Sequence, residues 1–183
     1  MTSTAFSPVN DSSDTGAFFS MLYSELHRLA KRQLAGQYAP ARLGATTLLH
    51  EAYLNMAKGA GPSFPDRARF MAYAARVMRG LIIDHARARS SAKKGGKYHI
   101  TAVTLDRLEN PVDAGELGVI SDALEELALV EPELATLVDL KFFCGFSFAE
   151  IGAMQVISER TVQRRWEKAR IYLHRSLGGV GAP

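Results

Sequence analysis

Apolar residues recur at helical spacing along most of the chain. Phe18, Phe19, Leu22, Leu26, Leu29 and Ala30 form a first run, spaced as one face of an α-helix requires. Asp14 or Thr15 can cap it, and the stretch 36–44, with Pro40, breaks it. A second helix is predicted over Thr46–Lys58, with Leu48, Leu49, Ala52, Tyr53 and Met56 as its apolar set. Gly59, Gly61, Pro62 and Pro65 then make a loop. Asp66 can cap a long third helix reaching about Ala92. Phe70, Tyr73, Ala74, Val77, Leu81 and Ile82 give that helix one apolar stripe, and arginines populate much of the rest. It would pack on the first two helices and leave a basic face in water. Lys93–Lys97, containing Gly95 and Gly96, ends it.

Residues 98–120 lack a helical period, and Pro111, Gly115, Gly118 and scattered acids mark a linker. Four more helical signals follow, over Ser121–Val130, Pro132–Cys144, Phe148–Met154 and Glu159–Leu177. Gly145 suits the left-handed residue that closes the second of these. Ser147 and Glu150 have capping-box spacing for the third, and Ser158 can cap the fourth. No segment reads as a strand. The expectation is an all-α protein of two small helical domains joined by a flexible acidic linker. Its parts are a mobile tail over 1–14, a helical domain over 15–97, the linker over 98–120, a helix-turn-helix domain over 121–177 and a short tail over 178–183.

Charge sharpens this division. The 183 residues carry 22 Lys+Arg against 19 Asp+Glu, a net charge of only +3. Between Arg67 and Lys97, however, the basic residues are opposed by Asp84 alone, and between Asp106 and Glu133 the sign reverses, with Arg107 the one cation. From Arg160 to Arg175 the chain is basic again. Two basic blocks around an acidic stretch predict two polyanion-binding modules. The single cysteine, Cys144, excludes an internal disulfide and a cysteine-rich zinc site. No run approaches the ~18 apolar residues of a membrane span, and no signal peptide is visible. The expected location is the cytoplasm, with no membrane partner.

The C-terminal block has the sharpest local pattern. A short helix ends near Met154, Gln155–Ile157 make a tight connection, and a longer basic helix follows. Gly152 is small where two helices must cross closely. Ile151, Ile157, Val162 and Trp166 hold the unit together, while Arg160, Gln163, Arg164 and Lys168 lie mostly on the other side. Arg reads guanine and Gln reads adenine bidentately, and the start of the second helix normally meets base edges. A plain helical hairpin with a solvated basic face is the bland alternative. Val156 departs from an ideal turn, since glycine is usual there and Val dislikes positive φ. The third helix offers a second basic face, with Phe64, Phe70 and Tyr73 near one end; an aromatic there can stack on an unpaired base. For Phe70 a core position is the better reading.

Enzyme signals are incomplete. His50-Glu51 begins like a zinc protease motif, but Leu54 stands where the second His belongs. Lys94-Gly95-Gly96-Lys97 lacks the spaced first glycine and the Ser/Thr of a phosphate loop. Asp84 and His85 adjoin on a helix and point apart. Cys144, within Phe142-Phe143-Cys144, reads as a small core residue rather than a nucleophile. No catalytic residue, metal ligand or cofactor is expected.

Taken together, the two modules resemble the extracytoplasmic-function sigma factors of bacterial RNA polymerase. The resemblance rests on the stretches 25–30 (ELHRLA), 48–54 (LLHEAYL), 70–76 (FMAYAAR), 83–87 (IDHAR) and 158–166 (SERTVQRRW), in that order. It implies that Leu48, His50, Glu51 and Leu54 bind the clamp of core RNA polymerase. It implies that Phe64, Arg76, Arg79, Arg87 and Arg89 serve the minus-10 element of promoter DNA. It assigns Ser158, Arg160, Thr161, Gln163, Arg164 and Lys168 to the minus-35 element. The linker would lie near the active-site channel of the polymerase, its acids mimicking nucleic acid.

One departure from the family pattern is informative. Where many members carry an acidic stretch at the start of the clamp-binding helix, this chain has Gly44, Ala45, Thr46 and Thr47. A subgroup with Thr-Thr here is linked to Ser/Thr protein kinases. A phosphothreonine supplies about −1.5 to −2 charges and three acceptor oxygens, so phosphorylation of Thr46, or second Thr47, would restore the missing charge. Against this stands Thr46 as a simple N-cap. Whether an anti-sigma factor acts on the chain stays open. The rival readings are a stand-alone helix-turn-helix regulator and an enzyme using His50, Glu51 or the Asp84-His85 pair.

Overall fold

The computed structural model describes residues 11–35, 43–58, 64–92 and 114–178. Helix α1 runs over Asp11–Met21 and α2 over Tyr23–Leu34. The two are one bent rod. Leu22, at φ −104° and ψ 15°, makes the bend, while Leu22 N–H still donates to the Phe18 carbonyl at 2.9 Å and Leu26 N–H to the Leu22 carbonyl at 2.9 Å. The helix starts three residues before Asp14 and four before Thr15, so residues 11–14 are not part of the tail, and Thr15 is buried. Helix α3 spans Ala45–Ala57 and α4 spans Arg67–Ala92. Asp66 caps α4 as its spacing predicts, accepting from Arg69 N–H at 2.8 Å.

Helix α5 covers Ala114–Val130. Residues 114–120 therefore belong to a helix, not to the expected linker. Leu117, Ile120, Leu124 and Leu127, successively three, four and three apart, supply its buried face, an apolar period that Gly115 and Gly118 obscure in the sequence. Residues 98–113 of the expected linker lie outside the described residues, as do residues 1–10 and 179–183. Helix α6 spans Pro132–Val138 and continues as a wider π-turn over Asp139–Phe143. Its hydrogen bonds skip an extra residue, Cys144 N–H donating to the Asp139 carbonyl at 3.0 Å. Gly145 follows at φ +78°, the left-handed position predicted for it.

Helix α7 covers Phe148–Gln155 and α8 covers Glu159–Gly178. The predicted capping box at α7 is complete. Glu150 N–H donates to Ser147 Oγ at 3.2 Å, and Ser147 N–H donates to Glu150 Oε2 at 2.7 Å. The Ser147 backbone donor, then its hydroxyl, hold the Glu150 carboxyl below its ordinary range. Ser158 Oγ accepts from Thr161 N–H at 3.2 Å to open α8. Among the described residues there is no strand.

A single hydrophobic core runs through both halves, from Phe19 on α1 to Leu177 on α8. Helix α6 is its hub. Leu137, Val138, Asp139 and Leu140 are all buried, so the C-terminal end of that helix is enclosed: α4 covers it on one side and α5 and α8 on the others. The sequence suggests one apolar stripe for α4, but the helix has two covered faces. Met71, Ala75, Met78 and Arg79 are as deeply buried as Phe70, Ala74 and Ile82, whereas Tyr73, Val77 and Leu81 are only half-buried.

Candidate nucleic-acid interface

The turn between α7 and α8 explains how the reading face is presented. Gly152 lets the two helices close: a Cβ there would lie 2.8 Å from the Ile157 carbonyl oxygen. Val156 makes the turn at φ +56° and ψ +43°, in the left-handed region that a β-branched side chain resists. Its side chain is 90% exposed, so no packing offsets that strain. Ile151 and Val162 are buried beneath the turn.

Above them is an open groove of about 670 Å³. Phe148 and Trp166 form part of its wall, and Ser158, Arg160, Thr161, Gln163, Arg164 and one acid, Glu167, line the rest. Arg160, Gln163 and Arg164 are exposed. Five of the six residues expected at the minus-35 element thus share one concave surface at the start of a helix. Gln163 Nε2 donates to Glu159 Oε1 at 3.2 Å, which fixes its side chain beside the groove. Lys168 is the exception. It lies a turn further on, and its Nζ meets Glu131 Oε1 at 2.6 Å.

The minus-10 set is dispersed. Arg79 is 1% exposed. Its Nη1 lies 2.7 Å from Asp139 Oδ1, its Nε donates to Ser121 Oγ at 3.2 Å, and its guanidinium sits 4.3 Å from the Phe143 ring centroid. The expectation that Arg79 faces DNA is corrected here: in this conformation it is a core residue. Arg76 is half-buried, with Nη2 3.8 Å from Asp139 Oδ2. Phe64, also expected at the DNA, is buried against Phe70 edge-on at 5.2 Å and against Tyr73 at 5.3 Å. Arg87 is exposed and comes near Gly118 on α5. The side chain of Arg89 lies outside the described residues.

The polymerase-binding set divides in the same way. Leu48 is fully buried and serves the core instead of a surface, whereas His50 and Leu54 are exposed. Glu51 Oε2 lies 2.8 Å from His85 Nε2, a link between α3 and α4 that the sequence did not suggest, because the two residues are far apart along the chain. Thr46 and Thr47 are exposed in the first turn of α3. Gly44, not Thr46, is the N-cap; no side chain caps this end and the first turn holds no acid. Thr46 and His50, one turn apart, line a hollow of about 310 Å³ together with Phe19, Tyr23, Leu49 and Tyr53.

Cys144 donates its thiol hydrogen to the Met71 carbonyl at 3.6 Å. Burial first, and the Asp139 carboxylate second, push this thiol far above its ordinary range. Among the described residues, no three His, Cys, Asp or Glu side chains gather as metal ligands. Among them, too, no helix is long and apolar enough to cross a membrane. Against known proteins, residues 8–179 match a family model described as ECF sigma factor. No curated protein and no solved structure matches the chain.

Proposed function

The chain belongs to the ECF sigma factor family, and from that premise we propose how its own residues divide the work. Sigma factors of this family bind core RNA polymerase and promoter DNA and so start transcription. In our reading the groove at the start of α8 reads the minus-35 element. The observation that carries it is the convergence of Arg160, Gln163 and Arg164 on one exposed concave face. Arg164 and Gln163 would meet base edges, and Arg160, Ser158, Thr161 and Lys168 would hold phosphates. Lys168 would exchange Glu131 for a phosphate, an inexpensive step for an exposed ion pair. His50, Glu51 and Leu54 would present α3 to the polymerase clamp. Arg76, Arg87 and Arg89 would serve the minus-10 element. The chain would deliver the polymerase in the cytoplasm and do no chemistry itself. A stand-alone regulator is disfavoured, because the family match spans both halves of the chain.

The second part of the proposal concerns α3. Its first turn has neither a side-chain cap nor an acid, and its free N–H groups with the positive end of the helix dipole suit an anion. The N-cap alternative for Thr46 loses support, since Gly44 holds that place. Phosphorylation of Thr46 by a Ser/Thr protein kinase would supply the charge, with Thr47 as the second candidate and His50 one turn away to meet the phosphate.

Run-off transcription with core polymerase over a promoter library tests the sigma reading, and transcripts that depend on this chain are expected. In the same assay Thr46→Ala should reduce holoenzyme formation about tenfold relative to the phosphorylated chain, the worth of one or two hydrogen bonds to a charged group. Thr46→Glu should recover part of that without a kinase. Full activity of the unmodified Ala variant would sink the switch.

A further inference from the structure

Helix α4 and the π-turn after α6 meet through charge rather than grease alone. Arg79 is buried on Asp139, Ser121 and Phe143, and Arg76 stands 3.8 Å from the second Asp139 oxygen. At the rim Arg69 Nη2 lies 2.8 Å from Glu133 Oε1. Every basic residue in this set comes from the basic block of α4, and every acid from the C-terminal half. Asp139 and Glu133 thus offer carboxylates to arginines of α4 that could otherwise meet phosphates.

The closed arrangement conflicts with reading a promoter. This point rests on the sigma-factor reading above. Elements centred near minus 10 and minus 35 are about 25 base pairs apart, roughly 85 Å along B-DNA at about 3.4 Å per pair. A compact chain of this length is only about 40 Å across. Here the two halves share one core. Drawn out, the residues between α4 and α5 can span up to ~70 Å, so the chain is long enough to separate them.

We propose that the contact of α4 with the π-turn, centred on Arg79 and Asp139, is an autoinhibitory latch: the C-terminal half masks the basic face of α4 in the free chain and must release it before both promoter elements can be engaged. Arg79 changes partners, from Asp139 when closed to nucleic acid when open. Burying an ion pair makes such a latch sharp, because either partner left alone in the core is strongly disfavoured. The groove on α8 stays accessible while the latch is shut, since Arg160, Gln163 and Arg164 are exposed.

Solution scattering of the free full chain and stopped-flow association with core polymerase plus a two-element promoter test the latch. Asp139→Asn should enlarge the radius of gyration by several ångströms and speed association about tenfold. Should Asp139→Asn lose its helical circular dichroism, the exposed rim decides. Glu133→Arg should speed association about two- to fivefold, and adding Arg69→Glu should return it to the wild-type rate. An isolated minus-35 duplex should bind all these variants as it binds wild type. An extended wild-type chain would overturn the latch, as would rim variants that bind polymerase at an unchanged rate. Failure of wild type and variants alike to bind polymerase would instead remove the sigma-factor reading.

Discussion

Val156 is the one residue other than glycine with positive φ among those described. An L-residue pays roughly 1–2 kcal/mol there, and a β-branched one has no compensating rotamer. Its side chain touches almost nothing. Val156→Gly should therefore raise stability by about 1 kcal/mol, the relief of strain less the extra entropy that glycine loses on folding. Urea unfolding of the full chain would measure it; an unchanged or lower midpoint would show that the turn is not strained. This residue was legible beforehand, because the spacing of the turn fixed which position must go left-handed. Arg79 was not. A periodicity argument places an arginine outside by default, and only Asp139, sixty residues away, brings it in.

At the scale of elements, local chemistry was readable and burial on a second face was not. Asp66, Ser147 with Glu150, Gly145 and Ser158 each do what their spacing suggests. These are contacts within a few residues, so the sequence contains both partners. The second covered face of α4 is built from alanines and methionines whose pattern is diluted by arginines, and the early start of α5 is hidden by its glycines. Helix α8 separates the two cases well. Val162, Ala169, Leu173 and Leu177 form its buried stripe, and the residues opposite are free to read. Arg164→Ala should therefore weaken promoter binding by about 1–3 kcal/mol, the worth of one bidentate base contact. It should leave the unfolding midpoint within about 0.5 kcal/mol of wild type, since the side chain is exposed. Fluorescence anisotropy at fixed salt and thermal melting check the two halves of that statement.

At the scale of the molecule, charge blocks along the chain marked two basic modules, and the family match agrees with a chain built to bind polymerase and DNA. What the sequence could not convey is that the halves share one core, because that core depends on which helices meet, not on how apolar each is. Cys144 lies on this seam, its thiol bonded to the Met71 carbonyl of α4 and raised by burial and by Asp139. Parting the halves would remove the Met71 contact and the burial, the larger cause, and bring the sulfur back towards the ordinary reactivity of a free thiol. The protein thus carries a native stopwatch. With excess alkylating reagent, the modification rate of Cys144 should level off at the rate at which the seam opens, with no label introduced. Promoter and core polymerase together should raise that plateau. A rate that keeps climbing in proportion to reagent, with the plateau never reached, would mean that the sulfur is attacked without the halves parting.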